Sequence, residues 1–472
     1  MNLAQALRLL PHPNLAGTSS RIRGQEGGWQ AVAFAGAGGK TSALFQLARD
    51  LPPPVITSAS THLHVDQVRL ADSHWQITTP AQLPALESNL TGVTLFTGPL
   101  EKDRAAGLNS ATMARLGEEC ASRNLPLLIE ADGSRQRPLK APGDREPVIP
   151  MFSNQVVVVA GLAGLGKPLT GQFVHRPEIF SSLSGLEPGE SITLDAMARL
   201  LAHPAGGQKN IPLSARRILL LNQADSPDLQ AQGMQLASRL LPAFHSVIIS
   251  SLINSRIHAV CEPVAGIILA AGGSSRYGQP KQLLDWHGKP FVRVVAEAAL
   301  SAGLARLVVV TGSHAEQVER ALEGLPLLLV RNRDWRSGQG SSIQAGLRTL
   351  NQPPVPGGSL ETPSIQASGE EMGAVLFLLA DQPQVTPGIM RALVEHHART
   401  LAPIIAPQVA GQRANPVLFD RSTFSELMTL KGDVGGREIF KRIQVEPLPW
   451  DDAGLLADVD TPEDYRDLVN GQ

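Results

Sequence analysis

Residues Gly266 to Gln282 read GIILAAGGSSRYGQPKQ. Ile267, Ile268 and Leu269 are the end of a buried strand, and Ala270, Ala271, Gly272 and Gly273 then remove the side chains that would keep an anion away from the backbone. Backbone N–H groups in such a turn make a cradle for phosphate oxygens. Ser274 and Ser275 add hydroxyl donors, Arg276 adds a planar fork of N–H groups, and Lys281 adds a mobile positive charge. No G-x-G-x-x-G can be laid on the stretch, so it is not a dinucleotide fingerprint. Gln279 follows Gly278 where a Walker A loop needs lysine. A third kind of triphosphate loop remains, on an α/β scaffold.

The rest of the composition fits that scaffold. A chain of 472 residues exceeds one ordinary core, so two domains of roughly 200 to 260 residues are expected. Hydrophobic residues make up 43% and aromatic residues 4%, as in Ala/Val/Leu-rich parallel sheets. A formal net charge of −2 supplies no basic excess for nucleic acid, so positive charge acts only inside sites. Cys120 and Cys261 are the only cysteines, too few for a disulfide framework or a four-ligand metal site. The longest apolar run, Val156 to Leu165, is too short to span a bilayer, and no signal peptide is visible. A cytoplasmic protein that binds neither nucleic acid nor membrane is the expectation.

A second strand, Gly-rich loop and helix lies near the start, where Ala31 to Gly39, AVAFAGAGG, runs into Lys40, Thr41 and Ser42. Amides of Gly36, Gly38 and Gly39 are expected to cradle phosphates, Lys40 to reach the outer ones, and Thr41 or Ser42 to bind magnesium. Phe34 occupies the place of the first Walker glycine, so the loop is tighter than the usual one. Further on, Leu125 to Glu130 is an apolar run ending in Glu130 and Asp132. Carboxylates at the end of a buried strand are candidates for a metal or an activated water, and Asp132 is taken as the metal ligand. Arg135 and Lys140 follow. Asn222 and Asp225 stand after another apolar strand in the Asn-x-x-Asp order that reads guanine, so the nucleotide here is GTP or ATP. His62 and His64 share a strand face with no third ligand and are expected to be hydrogen-bonded or solvated. Thr57, Ser58, Ser60 and Thr61 offer hydroxyls that could face the same phosphates.

Residues 1–258 resemble the YqeC family, accessory proteins associated with selenium-dependent molybdenum hydroxylases. The segments that carry the resemblance are GAGGKTS, IEADGSRQRPLKAP followed by EPVIP, GLAGLGKPL with VHRPEIF, and LNQAD. It implies a P-loop-like domain with a nucleotide-dependent role in maturing such enzymes, and a molybdenum hydroxylase apoenzyme as partner.

From residue 259 a new domain alternates strand and helix through Val330, which predicts a mainly parallel sheet flanked by helices. Residues 352–371 have no periodicity and are expected to form a flexible insertion. The strand Ala374 to Ala380 then delivers Asp381 to the sheet edge that carries the phosphate loop. Near the C-terminus ADVDTPED supplies Asp458 and Asp460, with Thr461 and Pro462 as the start of a final helix. Carboxylates holding magnesium against a triphosphate gripped by Arg276 and Lys281 suit attack on the α-phosphate with pyrophosphate leaving.

This second half is similar to the molybdenum cofactor cytidylyltransferases, within the MobA-like nucleotidyltransferases of Rossmann-like fold. The matching segments are LAAGGSSRYGQPKQLL, GQGSSIQAGL, LADQP, NPVLF, GDVGGRE and DVDTPEDY. The resemblance implies that Ala271, Gly272, Gly273, Ser274, Arg276 and Lys281 bind the triphosphate. Gly340, Ser341 and Ser342 would lie beside the nucleoside, and Asp381 with Asp460 would hold magnesium. LAAG accompanies CTP in that family and LAGG accompanies GTP, so Ala271 favours CTP, with molybdopterin as acceptor. Asn415 stands where the family often has histidine. Other readings of the same residues are a transferase with a different NTP or a sugar-phosphate acceptor, and a non-catalytic carrier or insertion chaperone for the cofactor.

Overall fold

The computed structural model describes residues 1–15, 29–83, 90–273, 277–350, 371–432 and 435–470. The expected insertion at 352–371 therefore lies almost wholly outside the described residues. Contacts divide the chain into one unit of Met1–Leu10 and Gly24–Cys261 and another of Pro11–Arg23 and Glu262–Gln472. The sequence boundary left residues 11–23 in the first domain. Burial of Leu15 among Ile267, Val310 and Ile343 in a core of the second unit accounts for the difference.

The first unit is built on a nine-stranded sheet. Its central strand, Ala31–Gly36, lies between Gln155–Gly161 and Leu127–Glu130. Outward on one side come Arg216–Asn222, Ser246–Ser251 and the edge strand Arg256–Cys261. On the other come Val55–Ala59, Val93–Thr97 and Ser73–Gln76. Every pairing is parallel except that of Arg256–Cys261 with Ser246–Ser251. Helices cover both faces, so the central strands are buried on both sides and read as unbroken apolar runs such as AVAFA and ILLL. The N-terminal helix is short, spanning Leu3–Ala6. Asn2 caps it, and the Asp50 carboxylate accepts from the N–H groups of Leu3 and Ala4.

The second unit orders its strands Leu328–Arg331, Arg306–Thr311, Val264–Ala270, Ala374–Leu379, Val417–Asp420, Ile404–Val409 and Gln412–Arg413. The first four are mutually parallel, Val417–Asp420 is antiparallel to both neighbours, and Glu446–Pro449 adds to Ile404–Val409. Phe291–Ser301 and Pro387–Thr400 cover one face, while Gln339–Leu350 covers the other. Gly346 is where that last helix meets the sheet, since a Cβ there would come within 2.7 Å of the Ile267 side chain. Both units are thus α/β with mainly parallel sheets, as the alternation of strand and helix predicts. Among the described residues no helix is long and apolar enough to cross a membrane.

Candidate functional sites

In the first unit the turn after Ala31–Gly36 is forced by glycine. Gly36, Gly38 and Gly39 have φ of 97°, 84° and 123°, and a Cβ on Gly36 would stand 2.2 Å from the Val159 carbonyl oxygen. Such a turn is open only to residues without a Cβ. Its amides, however, are engaged. The Gly36 N–H donates to both oxygens of Asp132 at 3.1 Å, the Ala37 N–H to Val159 at 2.8 Å, and the Gly38 N–H to the Arg137 carbonyl at 3.1 Å. The amides of Gly36 and Gly38 are therefore not the cradle expected of them. They are spent on the Asp132 carboxylate and the Arg137 carbonyl, leaving Gly39 and the first-turn amides of helix Lys40–Asp50 for an anion.

Lys40 is buried behind this turn. Its Nζ donates to the Gly36 carbonyl at 2.8 Å and lies 3.3 Å from Asp132 and 3.9 Å from Glu130. Asp132 also pairs with Lys140 at 2.7 Å. The expected metal role of Asp132 is corrected on this ground, since two lysines and an amide take up its oxygens. Glu130 is the carboxylate that meets Thr41. The Thr41 hydroxyl donates to Glu130 Oε2 at 2.8 Å and accepts from Gln67 Nε2 at 2.6 Å. Burial pushes the Glu130 carboxyl above its usual range, opposed by Lys40 and by the Thr41 bond. A hydroxyl and a carboxylate in contact at a helix N-terminus are a hard-oxygen set that fits magnesium.

Asn222 is buried, and it braces the turn. Its Nδ2 donates to Gly38 O at 2.7 Å, while its Oδ1 accepts from the Leu252 N–H at 3.0 Å. Asp225 is exposed at the strand end, its Oδ1 accepting from the Ser251 hydroxyl at 2.5 Å. The Thr57 and Ser58 hydroxyls do not face phosphate. They donate to Thr94 O and Phe96 O of the adjacent strand, and Ser60 donates to Val148 O. His64 caps the helix Val65–Val68 by accepting from the Asp66 N–H, consistent with a hydrogen-bonded role.

In the second unit Ala271, Gly272 and Gly273 follow the strand Val264–Ala270. Ala271 accepts from the Ser313 N–H at 3.1 Å, and a Cβ on Gly273 would lie 3.2 Å from the Trp335 ring. The loop therefore packs on Gly312 and Trp335, with Gly272 exposed. Ser274, Ser275 and Arg276 lie outside the described residues. Gln282 Nε2 donates to Gly272 O at 3.2 Å, which keeps Lys281 next to the loop. Lys281 Nζ pairs with Asp460 Oδ1 at 2.6 Å.

Strands Val264–Ala270 and Ala374–Leu379 pair in register up to Leu269 opposite Leu379. Two residues further, Asp381 emerges beside Ala271. Burial raises the Asp381 carboxyl above its usual range; Asp458 and then Asp460 add repulsion, which Lys281 partly offsets. Lys281, paired with Asp460, is the positive charge that acts on Asp381. Among the described residues no cluster holds three or more metal-ligating side chains. Magnesium here would draw on Asp381 with Asp458 or Asp460, completing its shell with phosphate oxygens and water.

Gly340 opens the helix Gln339–Leu350 and packs on Leu430. The Ser341 and Ser342 hydroxyls accept from Asn332 Nδ2 at 2.7 and 3.0 Å, and Ser341 Oγ also donates to Gly338 O. They shape the turn rather than project from it. Asn332, buried and bonded through its N–H to Thr311 O, is the organising residue that a search for phosphate-binding types passes over. Gly436 lies against the Phe419 ring and Gly435 against Gln339. Phe419 of the NPVLF stretch and the end of GDVGGRE thus come together near that helix start, and Asn415 is half-buried; Asp433 and Val434 are outside the described residues.

A model of the MobA-like NTP transferase domain matches residues 266–447, and a model of the YqeC protein matches residues 32–178. The Escherichia coli "Uncharacterized protein YqeC" is 34% identical over 41% of this chain and 75% of its own length. The "Nicotine blue oxidoreductase" of Paenarthrobacter nicotinovorans is 30% identical over 44% of this chain and 96% of its own. The Bacillus subtilis "Purine catabolism protein PucB" is 32% identical over 43% and 94%.

Proposed function

Because the chain belongs to the YqeC family in its first unit and carries a MobA-like NTP transferase domain in its second, we propose that it transfers CMP from CTP to the phosphate of molybdopterin. The observation that supports this most is the Lys281–Asp460 pair beside the loop Ala271–Gly273, with Asp381 emerging next to Ala271. An oxygen of the acceptor phosphate attacks the α-phosphorus, the bond from the α-phosphorus to the bridging oxygen breaks, and pyrophosphate leaves. No side-chain nucleophile is required. Lys281 balances charge on the triphosphate, Asp381 with Asp460 or Asp458 holds the metal, and Ala271 sets the loop that favours cytidine. Magnesium, when bound, supplies neutralisation of the charge that develops on the leaving oxygens.

The first unit binds GTP, or ATP, through Gly39, Lys40 and Thr41, with Glu130 as the carboxylate beside the metal and Asp225 at the base. It serves maturation of a molybdenum hydroxylase, whose apoenzyme is its partner. Pyrophosphate release in the presence of magnesium, CTP and molybdopterin tests the transferase, and loss of that release in Asp381→Ala is the expected control. Tight binding of finished cofactor without any turnover would replace the transferase with a carrier.

A further inference from the structure

The two strands that flank the phosphate-loop strand of the first unit each send an excursion back over the sheet edge. After Glu130 the chain passes through Gly133 to Pro138 into the short strand Leu139–Lys140; after Gly161 it passes into Val174–His175. These short strands pair in parallel, with Lys140 opposite His175. They form a cap at the C-terminal edge of the sheet, where open α/β sheets hold their ligands. The cap is fastened to the turn below it, because the carbonyls of Arg137 and Pro138 accept from the N–H groups of Gly38 and Gly161 at 3.1 and 2.9 Å.

Positive charge crowds this cap. Arg135 is exposed, and His175 and Arg176 are half-buried. Arg176 Nη1 donates to Glu146 at 2.6 Å and to Ala141 O at 3.5 Å, while its Nε and Nη2 make no hydrogen bond among the described residues. Gly143 makes room for that guanidinium, since a Cβ there would stand 2.9 Å from its central carbon. Lys140, by contrast, is spent on Asp132, Glu146 and Gly133 O. Burial, then Arg176, Lys140 and Arg135, hold the His175 imidazole below its usual value, and Glu146 opposes them. Arg135, Gln136 and Arg176 also keep φ of 50°, 57° and 64°. Left-handed backbone at residues with a Cβ is costly and gathers where ligands are clamped.

We propose that Arg135, His175 and Arg176 form an oxyanion site that takes the phosphate monoester of a small-molecule second ligand, on the same sheet edge as the phosphate loop. A guanidinium fork with unused N–H groups suits a tetrahedral oxyanion better than a carboxylate or a neutral ligand. The ion pairs Arg176–Glu146–Lys140–Asp132–Lys40 join this site to the phosphate loop. The site itself stands on the cap and does not depend on Lys40 holding a nucleotide.

The test is a titration of the full chain with inorganic phosphate and with glycerol 3-phosphate, followed on the His175 imidazole by NMR and assigned with His175→Gln. Sodium chloride at matched ionic strength and glycerol are the controls. The expected result is a saturable shift with both phosphates and neither control, weakened at least tenfold in Arg176→Gln. Because Arg176 also holds Glu146, the exposed Arg135→Gln is the second variant, with the same weakening expected at an unchanged melting temperature. Absence of a saturable shift, or unchanged affinity in Arg135→Gln, overturns the proposal. Magnesium GTP binding, measured on the same samples, reports on Lys40 separately, so a failure there and a failure of the oxyanion site are told apart.

Discussion

Asn222 donates its side-chain amide to the carbonyl of Gly38 at 2.7 Å, joining the end of one strand to the phosphate turn of another. The same side chain accepts from the Leu252 N–H, so Asn222→Ala leaves a buried carbonyl and a buried amide unpartnered. A loss of about 1–3 kcal/mol in the unfolding of the first unit is expected, together with weaker nucleotide binding. Denaturant unfolding measures the first and calorimetric titration the second; a variant as stable as the parent would show that Asn222 is not the brace.

Asp381 is a half-buried carboxylate repelled by Asp458. Asp381→Asn removes that repulsion, so the second unit should melt no lower than the parent while pyrophosphate release disappears. Lost activity accompanied by a lower melting temperature would instead make Asp381 a structural residue.

Lys281 pairs with an Asp460 whose side chain is 61% exposed. The Lys281 side chain is 12% exposed, and methionine keeps its apolar stem in place, so Lys281→Met should fold normally. Removal of one positive charge from the triphosphate site should lower kcat by roughly 10²–10³-fold. Steady-state rates of pyrophosphate release decide it.

Glu146 ties stability to pH. Burial alone would raise its carboxyl, but hydrogen bonds and ion pairs with Arg176 and Lys140 outweigh burial and bring it down to about 2, from 4.5. A folded value below the unfolded one means that the contribution is complete above about pH 4.5 and is lost as pH falls through about 2. The stability difference between the parent and Glu146→Gln should therefore be widest above pH 4.5 and shrink steadily toward pH 2. Acid titrations of the two chains, followed by circular dichroism, measure that difference, and a gap that does not change with pH would contradict the assignment.

Much of this was legible in the residues. Runs such as AVAFAG and GIILA announce strands buried on both faces, and small residues after them announce turns that only glycine and alanine permit. Partners across the fold were not legible. Asp132 looks as suitable for a metal as Glu130, and only the position of Lys40 and Lys140 shows which carboxylate is already neutralised. Ser341 and Ser342 have the types of a nucleotide loop, yet Asn332, nine and ten residues earlier, claims their hydroxyls. Gly36 and Gly38 likewise suggest open amides, while their acceptors come from Asp132 and Arg137, distant in sequence. Leu15 belongs to the second unit through a contact that no local pattern encodes.

The central claim is cytidylyl transfer by the second unit, and the most direct measurement is pyrophosphate release with molybdopterin and magnesium across CTP, GTP and ATP. Release with CTP at least tenfold faster than with GTP or ATP, lost in Asp381→Ala, is the predicted result. Equal or faster release with GTP, or none with any of the three, would contradict it.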